Sequence, residues 1–146
     1  MNQKILDLKV LEDCKDLKEL IKKLSSYLIE KHEIDGLEFF LLDESESRLI
    51  CEYISLPDKL KSLEKTLLRK EISINTDDIT TASLRELAPC IIDMNYDKRF
   101  SSSYLSRNKM LRSYASIPLI NNNRAYGCLV IYEHKYNNND NNKRYT

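Results

Sequence analysis

The stretch RSYASIPLINNNRAYGCLVIYEH, residues 112–134, decides the fold. It predicts two strands joined by an Asn-rich turn, a β-hairpin. A hairpin with one side in water alternates apolar and polar residues. Here both sides are largely apolar, since Ile117 and Leu119 alternate with Tyr114 and Pro118. Other parts of the chain are therefore expected to cover both faces of this hairpin.

A long helix and a second hairpin precede it. Residues 13–32 carry apolar side chains at steps of three and four residues, the pattern of an amphipathic helix, which Asp13 or Asp16 is placed to cap. Residues 37–42 are nearly all apolar, and the turn DESES and a strand over 48–55 follow them. The two hairpins are expected to share one antiparallel sheet, with their first and last strands side by side.

The segment between the hairpins predicts short elements. Residues 57–70 predict a helix in their first half, and residues 71–75 alternate like a short strand. Residues 76–87 predict a short helix that begins at a Thr or Asp cap, and a brief strand follows around 91–92. The side chains that this helix is expected to turn inward are Ile79, Ala82, Ser83 and Leu87. These pieces are expected to cover the second sheet face, because each bare Phe or Tyr would forfeit about 2–3 kcal/mol of burial.

The expected fold class is α+β. It comprises a central antiparallel sheet of five or six strands, the long N-terminal helix on one face, and short helices and loops on the other. Short irregular elements cover a sheet loosely, which leaves room for a small-molecule pocket. The expected organisation is an N-terminal extension over 1–12, one domain over 13–136, and a disordered polar tail over 137–146.

Composition argues against several classes of protein. The 146 residues carry 23 basic and 23 acidic side chains, without the surplus of Lys and Arg that general nucleic-acid binding needs. No apolar run approaches the roughly 20 residues of a membrane span, and the N-terminus lacks the apolar core of a signal peptide. The four cysteines contain no C-x-x-C pair, which is typical of reduced thiols in a cytoplasmic protein. Neither nucleic acid nor a membrane is expected as a partner.

The chain resembles the GAF domain family. The 112–134 stretch is similar to the closing hairpin of GAF domains, where an Arg-Ser pair enters the strand, Pro-Leu precedes the turn and a Gly lies in the return strand. APCIIDMNYDKRF, residues 88–100, is similar to the family's middle segment. The matching residues are Arg112, Ser113, Pro118, Leu119, Gly127, Asp93, Arg99 and Phe100. The resemblance spans residues 13–136 and implies a GAF-like fold, related to Per-Arnt-Sim domains, with a role in signal transduction.

The departures from the family patterns bear on cofactors. The Asn-Lys…Phe-Asp-Glu set of the cyclic-nucleotide-binding branch has no counterpart here, which argues against a cyclic nucleotide. No cysteine is followed by His, which argues against a covalent bilin. Cys90 lies in a region comparable to that of the free methionine sulfoxide reductases, but without their Gly-rich context and second cysteine. The ligand stays unknown at this stage.

Candidate site residues follow from chemistry and from the resemblance. Arg99 and Arg112 suit the gripping of an anion, because a guanidinium offers two parallel donors, although a salt bridge is the alternative for both. Cys90 is either a reactive thiol or a packed core residue, and Asp93 either contacts a ligand or caps a turn. The full candidate set for the pocket is Phe39, Ile79, Cys90, Ile92, Asp93, Arg99, Phe100, Tyr104, Arg112, Tyr114 and Tyr126. No catalytic residue and no metal ligand is predicted, since the two histidines have no metal-binding spacing.

The function expected is that of a noncatalytic sensory domain that binds a small molecule or a partner and signals through helix packing. A homodimer through the helix 13–32 and an output domain or partner protein are the expected associations. One alternative is a small thiol-dependent reductase of the free methionine sulfoxide reductase type. Another is a degenerate GAF domain that serves as a dimerisation module.

Overall fold

The helices and strands follow in the predicted order. The structure, a computed structural model, describes residues 16–32, 34–93 and 111–134. The helices are α1 (Leu17–His32), a 3-10 helix (Asp58–Leu63), α2 (Glu64–Leu67) and α3 (Ile79–Glu86). The strands are β1 (Gly36–Leu42), β2 (Arg48–Ser55), β3 (Glu71–Ser73), β4 (Cys90–Asp93), β5 (Leu111–Asn121) and β6 (Arg124–His134).

The described strands form one sheet in the order β3-β2-β1-β6-β5-β4. Every neighbouring pair is antiparallel. The hairpins β1-β2 and β5-β6 are joined through β1 and β6, the first and last strands, where Phe40 lies opposite Cys128. The predicted α+β class with a six-stranded sheet is confirmed.

Helix α1 packs on one face of the sheet. The Asp16 side chain accepts a hydrogen bond from the Glu19 amide at 2.8 Å and so caps the helix. Ile21 of α1 shares a buried cluster with Phe39 and Leu129 of the sheet. The start of the predicted helix, residues 13–15, lies outside the described residues. We call the face that α1 covers the α1 face.

The shorter elements pack on the opposite face, which we call the α3 face. Its buried cluster joins strand residues to Leu60 of the 3-10 helix, Leu67 of α2 and Ile79 of α3. Residues 57–70 are helical in both halves, not only in the first, because a 3-10 helix continues into α2. The predicted short strand is confirmed as β3, and α3 is capped by Asp78, one of the Thr and Asp residues predicted as candidate caps.

One tight turn and one register shift are notable within the sheet. Asn122 and Asn123 both have positive φ, 52° and 61°, as the tight turn between β5 and β6 requires. In β1 the pairing with β2 shifts between Phe39 and Phe40. These neighbours point to opposite faces, so Phe39 packs on the α1 face and Phe40 on the α3 face. The central strand therefore contributes an aromatic ring to each core.

Two apolar side chains are exposed, and the first of them departs from its predicted inward position. Leu87, expected to point inward, is 42% exposed, because α3 ends at Glu86 and Leu87 takes the left-handed conformation. Ile91 lies on the α1 face, between the buried Cys90 and Ile92, and is 68% exposed. Among the described residues, those on the α1 face are thus covered near β1 and β2, whereas Ile91 on the edge strand β4 is exposed.

Candidate ligand-binding site

A buried carboxyl group, that of Glu38, lies on the α3 face at the middle of the sheet. The strand registers place Glu38 of β1 in one row across the sheet. The other members of that row are Ile54, Val130, Ser116 and Cys90. Glu38 is the charged residue of an otherwise apolar strand and is only 2% exposed. Burial of a carboxyl group at such a position is costly unless the group is paired or protonated.

The environment of Glu38 favours protonation. Its Oε2 lies 3.9 Å from the Cys51 thiol, and its Oε1 has no hydrogen-bond partner in the described part of the chain. Burial, with the negative charge of Asp78 as the second cause, raises the pKa of Glu38 to about 8, against the opposing effects of Lys70 and Cys51. The carboxyl group is therefore mostly neutral at pH 7.

Asp78 organises the start of α3. Its Oδ2 accepts hydrogen bonds from the Thr80 amide at 3.2 Å and from the Thr80 hydroxyl at 2.5 Å. In return the Thr81 hydroxyl accepts from the Asp78 amide at 3.3 Å, which completes a capping box. Farther along, Ser83 meets Ser116 of β5 at 2.8 Å, so a buried hydrogen bond ties α3 to the sheet. These contacts fix the position of α3 over β5.

The three described cysteines are buried and well separated. Phe40 lies between Cys51 and Cys128 in the strand register, which separates their backbones by roughly 10 Å, beyond disulfide reach. Burial raises the pKa of Cys128 to about 12 and also raises the pKa of Cys51. A protonated thiol is a poor nucleophile, so neither of these two is arranged for thiol chemistry.

A groove opens beside α3, at the ends of the two hairpins. Its volume is about 460 Å³, within the range of small-molecule sites. The apolar residues of its lining are Leu42, Ile74, Leu84, Leu87 and Ala125. The polar residues are Glu46, Asn75, Thr81, Arg85, Asn123 and Arg124. The groove thus has apolar walls and a polar margin.

Of the two arginines at the margin, Arg124 forms an ion pair within the described part of the chain and Arg85 does not. Arg124 forms an ion pair with Glu46, and its guanidinium carbon lies 5.5 Å from the centre of the Tyr126 ring. These two contacts hold the Arg124 side chain at the mouth of the groove. Arg85, exposed on the last turn of α3, forms no ion pair with the part of the chain that the structure describes. Glu46 is the one carboxylate of the described lining.

The residues proposed from the sequence divide between two faces. Four of them meet in the buried cluster of the α3 face, namely Ile79, Cys90, Ile92 and Tyr114. Phe39 lies on the α1 face, away from them. Tyr126 is 46% exposed beside Arg124. None of these six residues lines the groove.

The other five predicted site residues fall outside the description. Arg99, Phe100 and Tyr104 lie outside the described residues. Asp93 and Arg112 belong to the adjacent strands β4 and β5, but their side chains are not described. Their assignment to a ligand site stays a prediction.

Sequence reasoning missed Glu38 and the two arginines of the groove. A signal for Glu38 exists, because one charged residue stands within GLEFFLL, which otherwise reads as a strand buried on both faces. No local pattern marks Arg85 or Arg124, because the groove is formed by segments that lie far apart in the sequence.

Within residues 16–32, 34–93 and 111–134 the structure shows no group of acidic, Cys or His side chains able to hold a metal ion. Among the described helices, none has the length and apolarity that crossing a membrane requires.

Comparison with solved structures identifies the fold. The GAF domain of a phosphoenolpyruvate-protein phosphotransferase from Coxiella burnetii superposes with a TM-score of 0.70 and 13% identity, covering 93% of this chain and 79% of that one. A GAF domain/HD domain protein from Geobacter sulfurreducens gives 0.68 and 13%, covering 94% and 88%. Free methionine-R-sulfoxide reductase from Neisseria meningitidis, in complex with its substrate, gives 0.65 and 16%, covering 90% and 73%.

These likenesses show that the chain has a GAF-like fold, as the sequence resemblance implied. No protein-family model matches the sequence, and no curated protein matches it either. The fold occurs both in GAF domains, such as that of the phosphoenolpyruvate-protein phosphotransferase, and in a free methionine-R-sulfoxide reductase, so fold alone does not assign an activity.

Proposed function

We propose that the protein is a noncatalytic, cytoplasmic sensory domain that binds a small molecule in the groove beside α3 and signals through helix packing. The observation that carries this proposal is the groove itself, with apolar walls and a polar margin in about 460 Å³. The GAF-like fold supports it, because several of the solved relatives are GAF domains of larger proteins.

The proposed signal passes through β1. Leu42 at the end of this strand lines the groove, and Phe39, three residues earlier, packs with Ile21 of α1. A ligand that binds one position of β1 more tightly than another shifts the population towards that position. The packing of α1 on the opposite face then changes with ligand occupancy.

The proposal is tested by methyl NMR with a chemically diverse metabolite panel of amino acids, nucleotides, organic acids, amines and haem. A true ligand is expected to shift the methyl resonances of Leu42 and Leu84 in the groove and also that of Ile21 on α1. Ala125→Phe, which places a ring in the groove, should abolish both sets of shifts. The proposal fails if no compound shifts the groove methyls, or if the shifts never extend to α1.

Association is part of the proposal. The solved GAF domain/HD domain protein combines this fold with a second domain, which supports an output domain or a partner protein for this chain. We also propose a homodimer through α1, where Leu17 at the start of the helix is 53% exposed. The middle of the outward side of α1 is largely polar and includes Glu19, Lys22 and Lys23. Such a contact is expected to be weak unless further residues contribute to it.

The reductase alternative is supported by the solved reductases with the same fold. It requires a reactive thiol with a second thiol nearby. Cys128 and Cys90 are separated by one strand and offset along the sheet, which places their backbones roughly 10 Å or more apart. The described thiols therefore favour the noncatalytic proposal.

Thiol reactivity distinguishes the two functions. With Cys14→Ser introduced to remove the one cysteine outside the described residues, we expect native protein to react with iodoacetamide at least 100-fold more slowly than urea-unfolded protein. Burial and raised thiol pKa both slow this reaction. The measurement is mass spectrometry of alkylated peptides over time. Rapid labelling of Cys90 in the native state would support the reductase instead.

A further inference from the structure

The charged side chains that line the groove sum to a net positive charge. The lining contains two arginines and one glutamate, and the glutamate is already paired with Arg124. Arg85 keeps its full set of guanidinium donors in the described part of the chain. The amides of Asn75 and Asn123 add further donors at the same margin.

The walls specify the other part of the ligand. The apolar lining includes Leu84 of α3, Leu87 just after it, Leu42 of β1 and Ile74. Leu87 is 42% exposed in this position, where an aliphatic chain would cover it. A ligand that contacts both the apolar walls and the positively charged margin has an apolar body and a planar anionic head group.

We infer that the groove binds small amphipathic carboxylates, with the carboxylate on Arg85 and the aliphatic body against the leucines of the walls. This inference rests on the proposed function and specifies its ligand class. A carboxylate matches the paired donors of a guanidinium, whereas an ammonium group would meet two like charges. Arg124 also lines the groove, but it is held in its ion pair with Glu46, so the carboxylate is assigned to Arg85.

The test uses two probes with the same tail, octanoate and octylammonium, titrated into the full chain and followed by methyl NMR. Octanoate is expected to shift the methyls of Leu42, Leu84 and Leu87 and to bind at least fivefold more tightly than octylammonium. Arg85→Gln should weaken octanoate binding three- to tenfold and leave octylammonium binding unchanged or stronger. Arg69→Gln is the matched control, since Arg69 pairs with Glu52 and does not line the groove.

Three results would overturn the inference. Equal or tighter binding of octylammonium at the groove methyls overturns the ligand class, while the groove as a binding site survives. Octanoate shifts that are the same in Arg85→Gln as in the unmodified protein show that the tail alone binds. If neither probe shifts the groove methyls but another compound of the metabolite panel does, the carboxylate class is wrong and the sensory proposal stands.

Discussion

Glu38→Gln is expected to stabilise the protein above pH 7 and to flatten the pH dependence of its stability. The folded protein holds a proton on Glu38 up to a pKa of about 8, whereas the ordinary pKa of a glutamate side chain is 4.5. Between these values the folded state binds one proton more than the unfolded state does. The free energy of unfolding therefore falls by about 1.4 kcal/mol for each pH unit as pH rises through this window.

The sign of this effect is defined by the direction of the shift. The contribution of Glu38 is fully present below pH 4.5 and is lost as pH rises through about 8. Glutamine keeps the size and planar shape of the neutral acid but has no proton to release, so the variant should lose this slope. Urea unfolding at a series of pH values between 5 and 9 measures it.

Two further variants make the result interpretable. Glu38→Met removes the charge without adding an amide and should show the same loss of slope, even if repacking changes its absolute stability. Glu86→Gln, at an exposed position on α3, is the matched control and should leave the slope unchanged. Parallel pH profiles for Glu38→Gln and the unmodified protein would show that Glu38 is ionised in the folded state at neutral pH.

Gly127→Ala is expected to be among the most destabilising single substitutions of the sheet. A Cβ at this position would lie 2.1 Å from the Phe40 carbonyl oxygen and 3.0 Å from the Leu41 Cα. Both are backbone atoms of the neighbouring β1, so no side-chain rotation relieves the clash. The two central strands must separate, at an expected loss of roughly 3 kcal/mol or more in unfolding free energy.

Chemical denaturation with circular dichroism measures this loss. Ala115→Gly is the control, because it makes the reverse change on β5, where a methyl group is removed without a clash, and should cost about 1 kcal/mol or less. A stability of Gly127→Ala within 1 kcal/mol of the unmodified protein would mean that β1 and β6 do not pair in the register seen here.

Much of the fold could be predicted because local patterns determine it. The apolar periodicity of α1, the two-sided apolar strands and the Asn122-Asn123 turn each reflect a short-range requirement of the backbone. The pairing of the two hairpins through β1 and β6 was predicted because their strands carry apolar residues on both faces, and both faces must be covered. The departures are local too, since Leu87 leaves the core only because α3 ends one residue before it.

The candidate site was much less predictable, because its residues come together only in the folded chain. Arg85, Arg124 and Leu42 belong to a helix and to two strands that are distant in sequence, so their meeting depends on the whole sheet. Phe39 was expected in the pocket, but the alternation of β1 sends it to the α1 face, and its neighbour Phe40 takes the α3 face. Glu38 is the one charged residue within GLEFFLL and could have been noticed. It was missed because a nearly apolar run is interpreted as a core strand.

The alternation along β1 also constrains how this chain can change over time. Inserting or deleting one residue in β1 would turn its side chains to the opposite faces of the sheet. The Phe39 ring would then point to the α3 face, and the Glu38 carboxyl group would point to the α1 face. The buried clusters on both faces would lose their packing together, because no neighbouring strand can compensate for a shifted register in the central strand. Length changes in this protein should therefore be tolerated in its surface connections and be absent from its middle strand.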